Sequence, residues 1–487
     1  MPLGALPEKT MRIRTPLLAA TSILLGALVL GACGSSSDSE FGDGTSSGGV
    51  PGSSSGVLGG GGDASSKPCT GLCLQQKTCP GGGTTTVSGK VFDPAGKVPL
   101  YNVIVYVPNA PVAALTSGAS CDRCGDVSGD PLVSAITDTS GKFQLTNVPV
   151  GQNIPLVVQV GKWRRQLTIS SVAECADTAL TNEQTRLPKN RVEGDIPRMA
   201  LTTGGADAME CFLRKVGLED GEFDVAGGPG RVHFYAGSPA GNTTTAKFDA
   251  AHGGGSFGSA QTFWSDAAKL SAYDIVLLSC EGQTYPATKP QAALDALYDY
   301  TTKGGRVFAS HWHRFWFDAR ADNNGAVMGT AKFGDLGTWN DDNGFDPSIQ
   351  ATVDVSFPKG KAMEEWLGNV GALTGGKLPI DGSRKNLETV NPANAQQWIT
   401  YAGPQAVEYM SFNIPTGVPD DKKCGRAVYS DLHVSSGVGD TPGPAWPGGC
   451  KTTELSPQEK ALEFMLFDLS SCIQSDQAPP TPPGTVK

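Results

Sequence analysis

The amino-acid sequence predicts a multidomain protein in which a small all-β sandwich precedes a larger α/β domain built on a doubly wound parallel sheet. Residues 84–172 carry short segments of alternating apolar and polar residues with turn residues between them, a pattern typical of a β-sandwich. Residues 196–473 alternate apolar runs with amphipathic helical segments, which favours a parallel sheet covered by helices. Ahead of both, a stretch dominated by glycine and serine lacks the apolar residues needed to fold, so we expect a disordered N-terminal tether.

The N-terminus has the layout of an export signal. From Met11 the chain reads MRIRTPLLAATSILLGALVLGAC, a basic start followed by an apolar run and then by small residues before Cys33. An uncleaved membrane anchor is the alternative, because the apolar run nearly reaches the length that spans a bilayer. The small residues next to the cysteine favour cleavage.

The tetrad LGAC, which ends at Cys33, resembles a bacterial lipobox. The resemblance implies that residues 1–33 are a lipoprotein signal peptide and that Cys33 becomes lipid-modified. The mature protein would then be exported and anchored to a membrane through this lipid. Gly34 follows the cysteine, which favours the outer membrane or the cell surface if the cell has two membranes.

The segments between and around the two domains are polar. We assign residues 34–83 to a Gly/Ser-rich tether with a cysteine-rich lead-in, residues 173–195 to a connector, and residues 474–487 to a disordered Pro-rich tail. The formal net charge is -10, from 38 basic and 48 acidic residues, and no basic block stands out. This charge argues against nucleic acid as a partner.

Twelve cysteines in an exported chain predict disulfide bonds. Lipidation of Cys33 would leave an odd number, and we assign the unpaired thiol to Cys280, at the end of the apolar run YDIVLLSC. The motif CDRC at residues 121–124 has a spacing that is common in zinc sites, so zinc is the competing interpretation there. Export favours oxidation of these two cysteines.

Two disulfide bonds are predicted in the larger domain. We expect Cys424 to pair with Cys450, since this bond would close a loop rich in glycine and proline. The second predicted pair joins Cys211 to Cys472, each on a helix beside the sheet. Loops of this composition gain most from covalent closure in an oxidising compartment.

The predicted sandwich carries a family resemblance. Residues 88–105 follow the pattern SG.V.D..G..PL..V.V, and residues 137–151 follow TD..G.F.L..VP.G. These patterns resemble the carboxypeptidase regulatory-like family, a transthyretin-like sandwich. The family is generally an accessory module, so the resemblance implies support, display or glycan contact. The insertion NAPVAALTSGASCDRCGDVSGDP departs from the family pattern.

The larger domain alternates strands and helices. Strands are predicted at RVHFYAG, AYDIVLLSC, RVFASHWH and RAVYSDLHV, and helices within GGADAMECFLRKVGL, KPQAALDALYDYTTKGG and SPQEKALEFMLFDLSSC. The second helix is expected to end at Gly304 and Gly305. The last begins at Ser456, with Glu459 completing a capping box.

The order YDIVLLS, helix, GGRVFASH and RAVYSDLH resembles the class I glutamine amidotransferase-like superfamily, especially its ThuA-like branch. That branch has a histidine after the strand that follows a GG pair, and a second histidine late in the chain. Glutaminase members place a nucleophilic cysteine where this chain has Ser310 and His311, so the resemblance implies a non-glutaminase domain. Cys280 lies one strand too early for that role.

Histidines follow two of the predicted strands of this domain. Alternation along an extended strand would put His311 and His313 on the same side, at the C-terminal strand end where open parallel sheets place their sites. His433 follows another strand, whose end should open on the same edge. We therefore expect the three imidazoles to converge on one cleft, with Asp431 beside them.

Two functions are compatible with this cleft. Three neutral imidazoles suit zinc, so His311, His313 and His433 are candidate ligands of a metal-dependent hydrolase. Asp431 or Glu281 would orient a ligand or act as base, which leaves His311, His433, Asp431 and Glu281 as candidate catalytic residues. Whether the protein is an enzyme stays open.

The second function is glycan binding by a lipid-anchored cell-envelope protein. Aromatic rings next to the histidines, together with Trp339, are suited to stacking on sugar rings, although such clusters are more often part of a core. A polysaccharide or another envelope ligand is then the expected partner. The candidate ligand-binding residues are His311, Trp312, His313, Trp316 and His433.

Calcium is a second candidate ion. The loops DARADNNGAVMG and WNDDNGFDPS are rich in aspartate and asparagine, which bind calcium in some proteins. Neither loop has the full calcium-hand spacing with a terminal glutamate. Ordinary turns use the same residues, and we prefer that interpretation.

Overall fold

The computed structural model describes residues 69–485, apart from residues 126, 238–247, 249–250, 252–256, 322–323, 342–344, 403–404 and 434–445. The predicted signal peptide, Cys33 and the glycine- and serine-rich tether lie outside the described residues. Within the described part, no helix has the length and apolar character needed to cross a membrane. The described residues belong to one compact unit.

The first half of this unit contains two small sheets that share a core. Val87 and Val105, one from each sheet, are fully buried in the same apolar cluster, as expected of a sandwich. The sheets have the strand orders β4-β1-β7 and β3-β2-β5-β6. The strands are β1 (Thr86–Lys90), β2 (Ile104–Pro108), β3 (Pro131–Ile136), β4 (Lys142–Thr146), β5 (Gly151–Val160), β6 (Trp163–Val172) and β7 (Asp177–Ala179). Strand β7 shows that part of the predicted connector is structured.

A large mixed sheet follows. Its order is β11-β10-β8-β12-β13-β20-β19-β18-β15-β16, with β9 beside β10. The strands are β8 (Met199–Thr202), β9 (Phe223–Val225), β10 (Val232–Ala236), β11 (Gly258–Ser259), β12 (Ile275–Leu278), β13 (Arg306–Ser310), β14 (Gly337–Trp339), β15 (Phe345–Val353), β16 (Leu378–Arg384), β17 (Leu387–Val390), β18 (Gln396–Ala402), β19 (Gln405–Ile414) and β20 (Gly425–Ser430). Strands β14 and β17 pair separately.

The sheet changes direction at β20. The strands from β11 to β20 are parallel, whereas β19, β18, β15 and β16 continue the sheet in antiparallel pairs. The prediction of a parallel sheet is therefore right for the part that contains the histidines and wrong for the part beyond it. The extra strands join the edge through hairpins, which need no crossover helix.

Helices cover both faces of the parallel part. The helices are α1 (Asn182–Thr185), α2 (Met209–Val216), α3 (Ala260–Trp264), α4 (Ala267–Ser271), α5 (Gln291–Thr302), α6 (Phe315–Asp318), α7 (Pro358–Asn369) and α8 (Pro457–Ser470). Helices α2, α7 and α8 share an apolar cluster with the sandwich, and α3, α4, α5 and α6 belong to a second cluster. In β12, Leu277 faces the first cluster and Val276 the second, which explains its uninterrupted apolar run.

Helix ends follow the predicted chemistry. Ser456 accepts a hydrogen bond from the Glu459 N–H, and the Glu459 side chain accepts one from the Ser456 N–H, so the predicted capping box is confirmed. Helix α5 ends just before Gly304, whose φ of 106° places it in the left-handed region. A Cβ atom there would also clash with the Ser120 carbonyl oxygen.

Five disulfide bonds join ten of the eleven described cysteines. Cys280 is the remaining free cysteine and is buried, which confirms its assignment as the unpaired thiol. This density of disulfides is that of an exported protein. The bonds are Cys69–Cys73, Cys79–Cys175, Cys121–Cys424, Cys124–Cys472 and Cys211–Cys450.

Both predicted disulfide pairs are wrong. Cys424 precedes β20 whereas Cys450 follows it, so the strand separates the two thiols. Cys450 instead bonds to Cys211 on α2. Cys472 follows α8 and bonds to the sandwich insertion.

The insertion in the sandwich provides the missing partners. Cys121 and Cys124 of the CDRC motif bond to Cys424 and Cys472, across 303 and 348 residues of sequence. Zinc binding by this motif is therefore excluded. The two bonds fasten the sandwich to the sheet domain, and closing such long loops restricts the unfolded chain strongly.

The C-terminal residues are also more ordered than predicted. Asp476 is 8% exposed, and its carboxylate forms ion pairs with Arg426 and Lys359. The Pro483 carbonyl accepts a hydrogen bond from Ser134 in the sandwich. The prediction of a disordered tail over 474–487 is thus wrong for these residues, because buried charge pairs hold them against the core.

Candidate metal centre

Three side chains meet where neighbouring parallel strands end. Cys280 follows β12, His311 directly follows β13, and His433 follows β20. These three strands are adjacent in the sheet, so the loops that leave their carboxyl ends lie at one edge. The described residues contain one cluster of three groups with metal-ligand chemistry, and it consists of these side chains.

The ligating atoms of this cluster are close together. His311 Nδ1 lies 3.4 Å from Cys280 Sγ and 3.2 Å from His433 Nε2, and all three atoms lie within 4.8 Å of one another. Zinc bonds to nitrogen at about 2.0–2.1 Å and to sulfur at about 2.3 Å, so tetrahedral ligand atoms are separated by about 3.3–3.6 Å. The two measured separations are close to these edges.

The backbone at His311 accounts for this approach. Strand β13 ends at Ser310, and His311 adopts a φ of 44°, a left-handed conformation that is uncommon for a residue with a Cβ atom. The chain then enters a short 3-10 turn over His311–Arg314. Backbone strain of this kind is concentrated at functional sites.

His313 is not part of the cluster. Its Nε2 lies 2.9 Å from the Ser279 carbonyl oxygen, and its Nδ1 accepts a hydrogen bond from Trp316 Nε1 at 3.0 Å. Both ring nitrogens are therefore used inside the core. The predicted alternation fails because the strand stops before His311, and the 3-10 turn directs the two imidazoles to different partners.

Burial controls the protonation of the two enclosed ligands. His311 is 1% exposed, and burial, with the nearby His433 and Arg384, holds the pKa of its imidazole well below the usual range. Burial, reinforced by Asp207, raises the pKa of the Cys280 thiol. His433 is half-buried and connects the cluster to the surface.

Two backbone N–H groups act on the Cys280 sulfur. The Gly282 N–H donates to Sγ at 3.4 Å, and the Trp312 N–H also forms a hydrogen bond to this sulfur. Both bonds lower the pKa of the thiol and oppose the effect of burial. Hydrogen bonds of this type support a thiolate ligand.

Asp431 and Glu281 do not face the cluster in the predicted way. Asp431 accepts hydrogen bonds from the Tyr429 hydroxyl at 2.7 Å and the Leu387 N–H at 2.8 Å. Burial raises the pKa of Asp431 to about 6 against these two bonds. Its carboxylate therefore joins the end of β20 to the segment before β17, and it supports the edge from behind.

Glu281 belongs to a separate buried pair. Its carboxylate lies 2.6 Å from Lys289 Nζ, and both side chains are almost completely buried. The Lys289 ammonium also donates to the Thr284 carbonyl and lies 5.0 Å from the centre of the Trp264 ring. The pair fixes the loop after Cys280, so Glu281 acts on the cluster through the backbone.

The aromatic residues of the segment are core residues. Trp312 is 3% exposed, and Trp316 is fully buried. The Trp312 ring packs between the His311 ring and the Arg314 guanidinium, at 4.7 and 5.5 Å. Neither indole presents a face to a sugar, whereas Trp339 is half-buried and packs on Tyr429. The proposed stacking of glycan on Trp312 and Trp316 is therefore wrong.

The acidic loops are partly used by a buried arginine. Asp318 and Asp341, one from each candidate calcium loop, both pair with the Arg314 guanidinium. Residues 322–323 and 342–344 of these loops lie outside the described residues. The two described carboxylates thus have a cationic partner without calcium.

Comparisons with known proteins identify no family. No family model and no curated protein matches the chain. A ThuA-like protein from Bacteroides uniformis is 14% identical, with a TM-score of 0.24 over 48% of this chain and 82% of that protein. A type II cohesin–X-dockerin complex from Acetivibrio cellulolyticus is 19% identical, with a TM-score of 0.14 over 27% of this chain and 71% of that chain. These values establish no membership of a family, so function has to be argued from the cluster itself.

Proposed function

We propose that the protein is an exported lipoprotein, anchored through Cys33, that binds zinc with Cys280, His311 and His433 and acts as a metal-dependent hydrolase. The observation that carries the proposal is the convergence of one sulfur and two imidazole nitrogens at ligand-to-ligand distances. The disulfide bonds support export. The lipobox-like tetrad that ends at Cys33 supports the anchor.

The residues fit zinc in number and in chemistry. One thiolate and two neutral imidazoles are ligands that zinc accepts, and three protein ligands leave a fourth tetrahedral position for water or substrate. Structural zinc sites use four protein ligands, whereas catalytic sites keep this position open. When bound, zinc lowers the pKa of water and polarises a substrate carbonyl or phosphoryl oxygen.

The chain would supply the geometry of the reaction. Cys280 and His311 exclude water on the buried side, and the half-buried His433 leaves access from the surface. The strained turn at His311 directs Nδ1 toward both other ligands. These features favour a preorganised centre over one assembled by an incoming ion.

A thiol nucleophile is the second candidate function. Cys280 Sγ lies 3.4 Å from His311 Nδ1, the arrangement of a cysteine with a neighbouring base. Full burial of Cys280 and its raised pKa oppose this role, since a nucleophilic cysteine needs thiolate and access. We therefore rank the metal centre first.

The metal content of mature protein purified without a histidine tag tests the first proposal. We expect one equivalent of zinc in the wild type and loss of zinc in the Cys280→Ser and His433→Ala variants. His313→Gln is the matched control, because it removes a histidine two residues from His311 that lies outside the cluster. Ester and phosphoester hydrolysis should follow the zinc content across the four proteins.

Three outcomes separate the candidates. Zinc loss in the ligand variants together with retention in His313→Gln supports the metal centre. Wild-type protein that takes up no zinc, and whose Cys280 is alkylated by iodoacetamide with loss of hydrolysis, would favour the nucleophile. Retention of zinc in Cys280→Ser and His433→Ala would refute the proposed ligand set.

Glycan binding stays a separate prediction. The buried Trp312 and Trp316 remove its main support, but a polysaccharide ligand at the outer edge of the centre is still compatible with the half-buried Trp339. Pull-down with insoluble polysaccharides, compared between wild type and Trp339→Ala, tests it. Equal retention of the two proteins would remove the last aromatic argument for this function.

A further inference from the structure

Asp207 occupies a buried position between two of the proposed ligands. It lies in the loop between β8 and α2 and is 4% exposed. Its Oδ2 accepts a hydrogen bond from the Cys280 N–H at 3.0 Å. The same oxygen accepts a hydrogen bond from the Ser310 hydroxyl. One carboxylate oxygen therefore joins the residue that ligates from β12 to the residue just before the ligand of β13.

The loop that carries Asp207 holds Cys280 from both sides of its Cα atom. The Asp207 carboxylate accepts a hydrogen bond from the Cys280 N–H, and the Ala206 N–H donates to the Cys280 carbonyl at 3.1 Å. Gly204 lies so close that a Cβ atom there would clash with the Cys280 carbonyl oxygen. Both peptide groups of Cys280 are thus fixed by one short segment of the chain.

Ser310 connects Asp207 to the second ligand. It is the last residue of β13 and is followed by the left-handed turn at His311. Its hydroxyl points away from the sheet edge toward Asp207 and is buried with it. Movement of Ser310 would change the direction in which His311 leaves the strand, and with it the separation between Nδ1 and Cys280 Sγ.

We propose that Asp207 is a positioning residue that sets the distance between Cys280 and His311. The proposal rests on the metal centre put forward above. Asp207 bonds to the backbone of one ligand and to the neighbour of the other, so it would act on the metal through the two ligands. Supporting groups of this kind typically change metal affinity by about 10–100-fold when they are removed.

The arrangement predicts a graded series of effects. Asp207→Ala should lower the affinity for Co²⁺ by about 10–100-fold, because both ligands lose their anchor. Ser310→Ala should have a smaller effect, since it frees His311 and leaves the Cys280 N–H bonded. The double variant should lose no more affinity than Asp207→Ala alone, because residues in one network do not act additively.

Co²⁺ titration of the full mature protein measures these effects. The sulfur-to-cobalt charge-transfer absorption reports the Cys280 bond, and its position and intensity change when the ligand geometry changes. Asp207→Asn keeps an oxygen acceptor in the same shape and should retain more affinity than Asp207→Ala. Asp274→Asn is the matched control, since Asp274 is 7% exposed at the opposite end of β12.

The outcomes distinguish this inference from the function on which it rests. If the wild type showed no charge-transfer band with Co²⁺, the metal centre itself would be refuted, and the role of Asp207 with it. If the wild type bound Co²⁺ and Asp207→Ala kept its affinity and spectrum, only the positioning role would fail. If Asp207→Ala did not fold, Asp207→Asn and Ser310→Ala would decide, and wild-type spectra in both would overturn the inference.

Discussion

Two buried carboxyl groups at the junction of sandwich and sheet domain make stability depend on pH. Asp93, in the turn after β1, is 1% exposed, and Glu463, in the middle of α8, is fully buried. Asp93 Oδ1 accepts hydrogen bonds from the Lys97 and Val98 N–H groups, whereas its other side faces Glu463. A hydrogen bond between two carboxyl groups exists only while one of them is protonated.

Burial sets the direction and the size of the effect. It raises the pKa of Asp93 to about 7, from 3.8, and raises the pKa of Glu463 well above its usual range. As the pH rises from about 4 to about 7, the unfolded chain releases the Asp93 proton and the folded protein keeps it. A difference of about 3 pKa units corresponds to about 4 kcal/mol, which is present below about pH 4 and is lost as the pH passes 7.

Glu463→Gln is the test variant, because an amide has the shape of the carboxyl group and donates a hydrogen bond to an ionised Asp93. We expect the free energy of unfolding to fall by up to about 4 kcal/mol in the wild type between pH 4.5 and pH 7.5, and by much less in the variant. Urea unfolding with the disulfides intact measures both. Glu454→Gln, at a side chain that is 73% exposed, is the control. Parallel pH profiles of wild type and Glu463→Gln would refute the shared proton.

Metal binding, membrane anchoring and C-terminal order each give a further prediction. His433→Ala should lower zinc affinity by at least about 100-fold while His313→Gln keeps stoichiometric zinc, measured by equilibrium dialysis against a chelator. Cys33→Ala should move the protein from the detergent phase to the aqueous phase in a cloud-point partition, and unchanged partition would contradict the lipid anchor. Asp476→Asn should lower the free energy of unfolding by about 2 kcal/mol, because the buried Arg426 loses a charged partner. An unchanged urea midpoint would show that the C-terminal residues add no stability.

Local patterns in the sequence were sufficient for much of the fold. The alternation in residues 84–172 and the apolar run YDIVLLSC predict strands that the structure contains. The capping box at Ser456 predicts the start of α8. Such features depend on residues within one or two turns of each other, so they can be read without knowledge of the rest of the chain.

The candidate site was only partly predictable. His311 and His433 were expected at one edge because both follow parallel strands, and the structure brings them to 3.2 Å. Cys280 follows the neighbouring strand, and this was the signal that could have added it to the ligand set. Asp207 has no local signature, because its two hydrogen bonds reach residues 73 and 103 positions away.

The sequence by itself determined the export signal, the strand and helix periods, and the unpaired state of Cys280, since each depends on composition or on nearby residues. Only the tertiary structure decided that Cys121 and Cys124 bond to Cys424 and Cys472, because these pairs form between segments that packing alone brings together. It also decided that His311 faces Cys280 while His313 faces Ser279. The physical reason is the left-handed turn at His311, a conformation imposed by the contacts around it and not by any local preference of histidine.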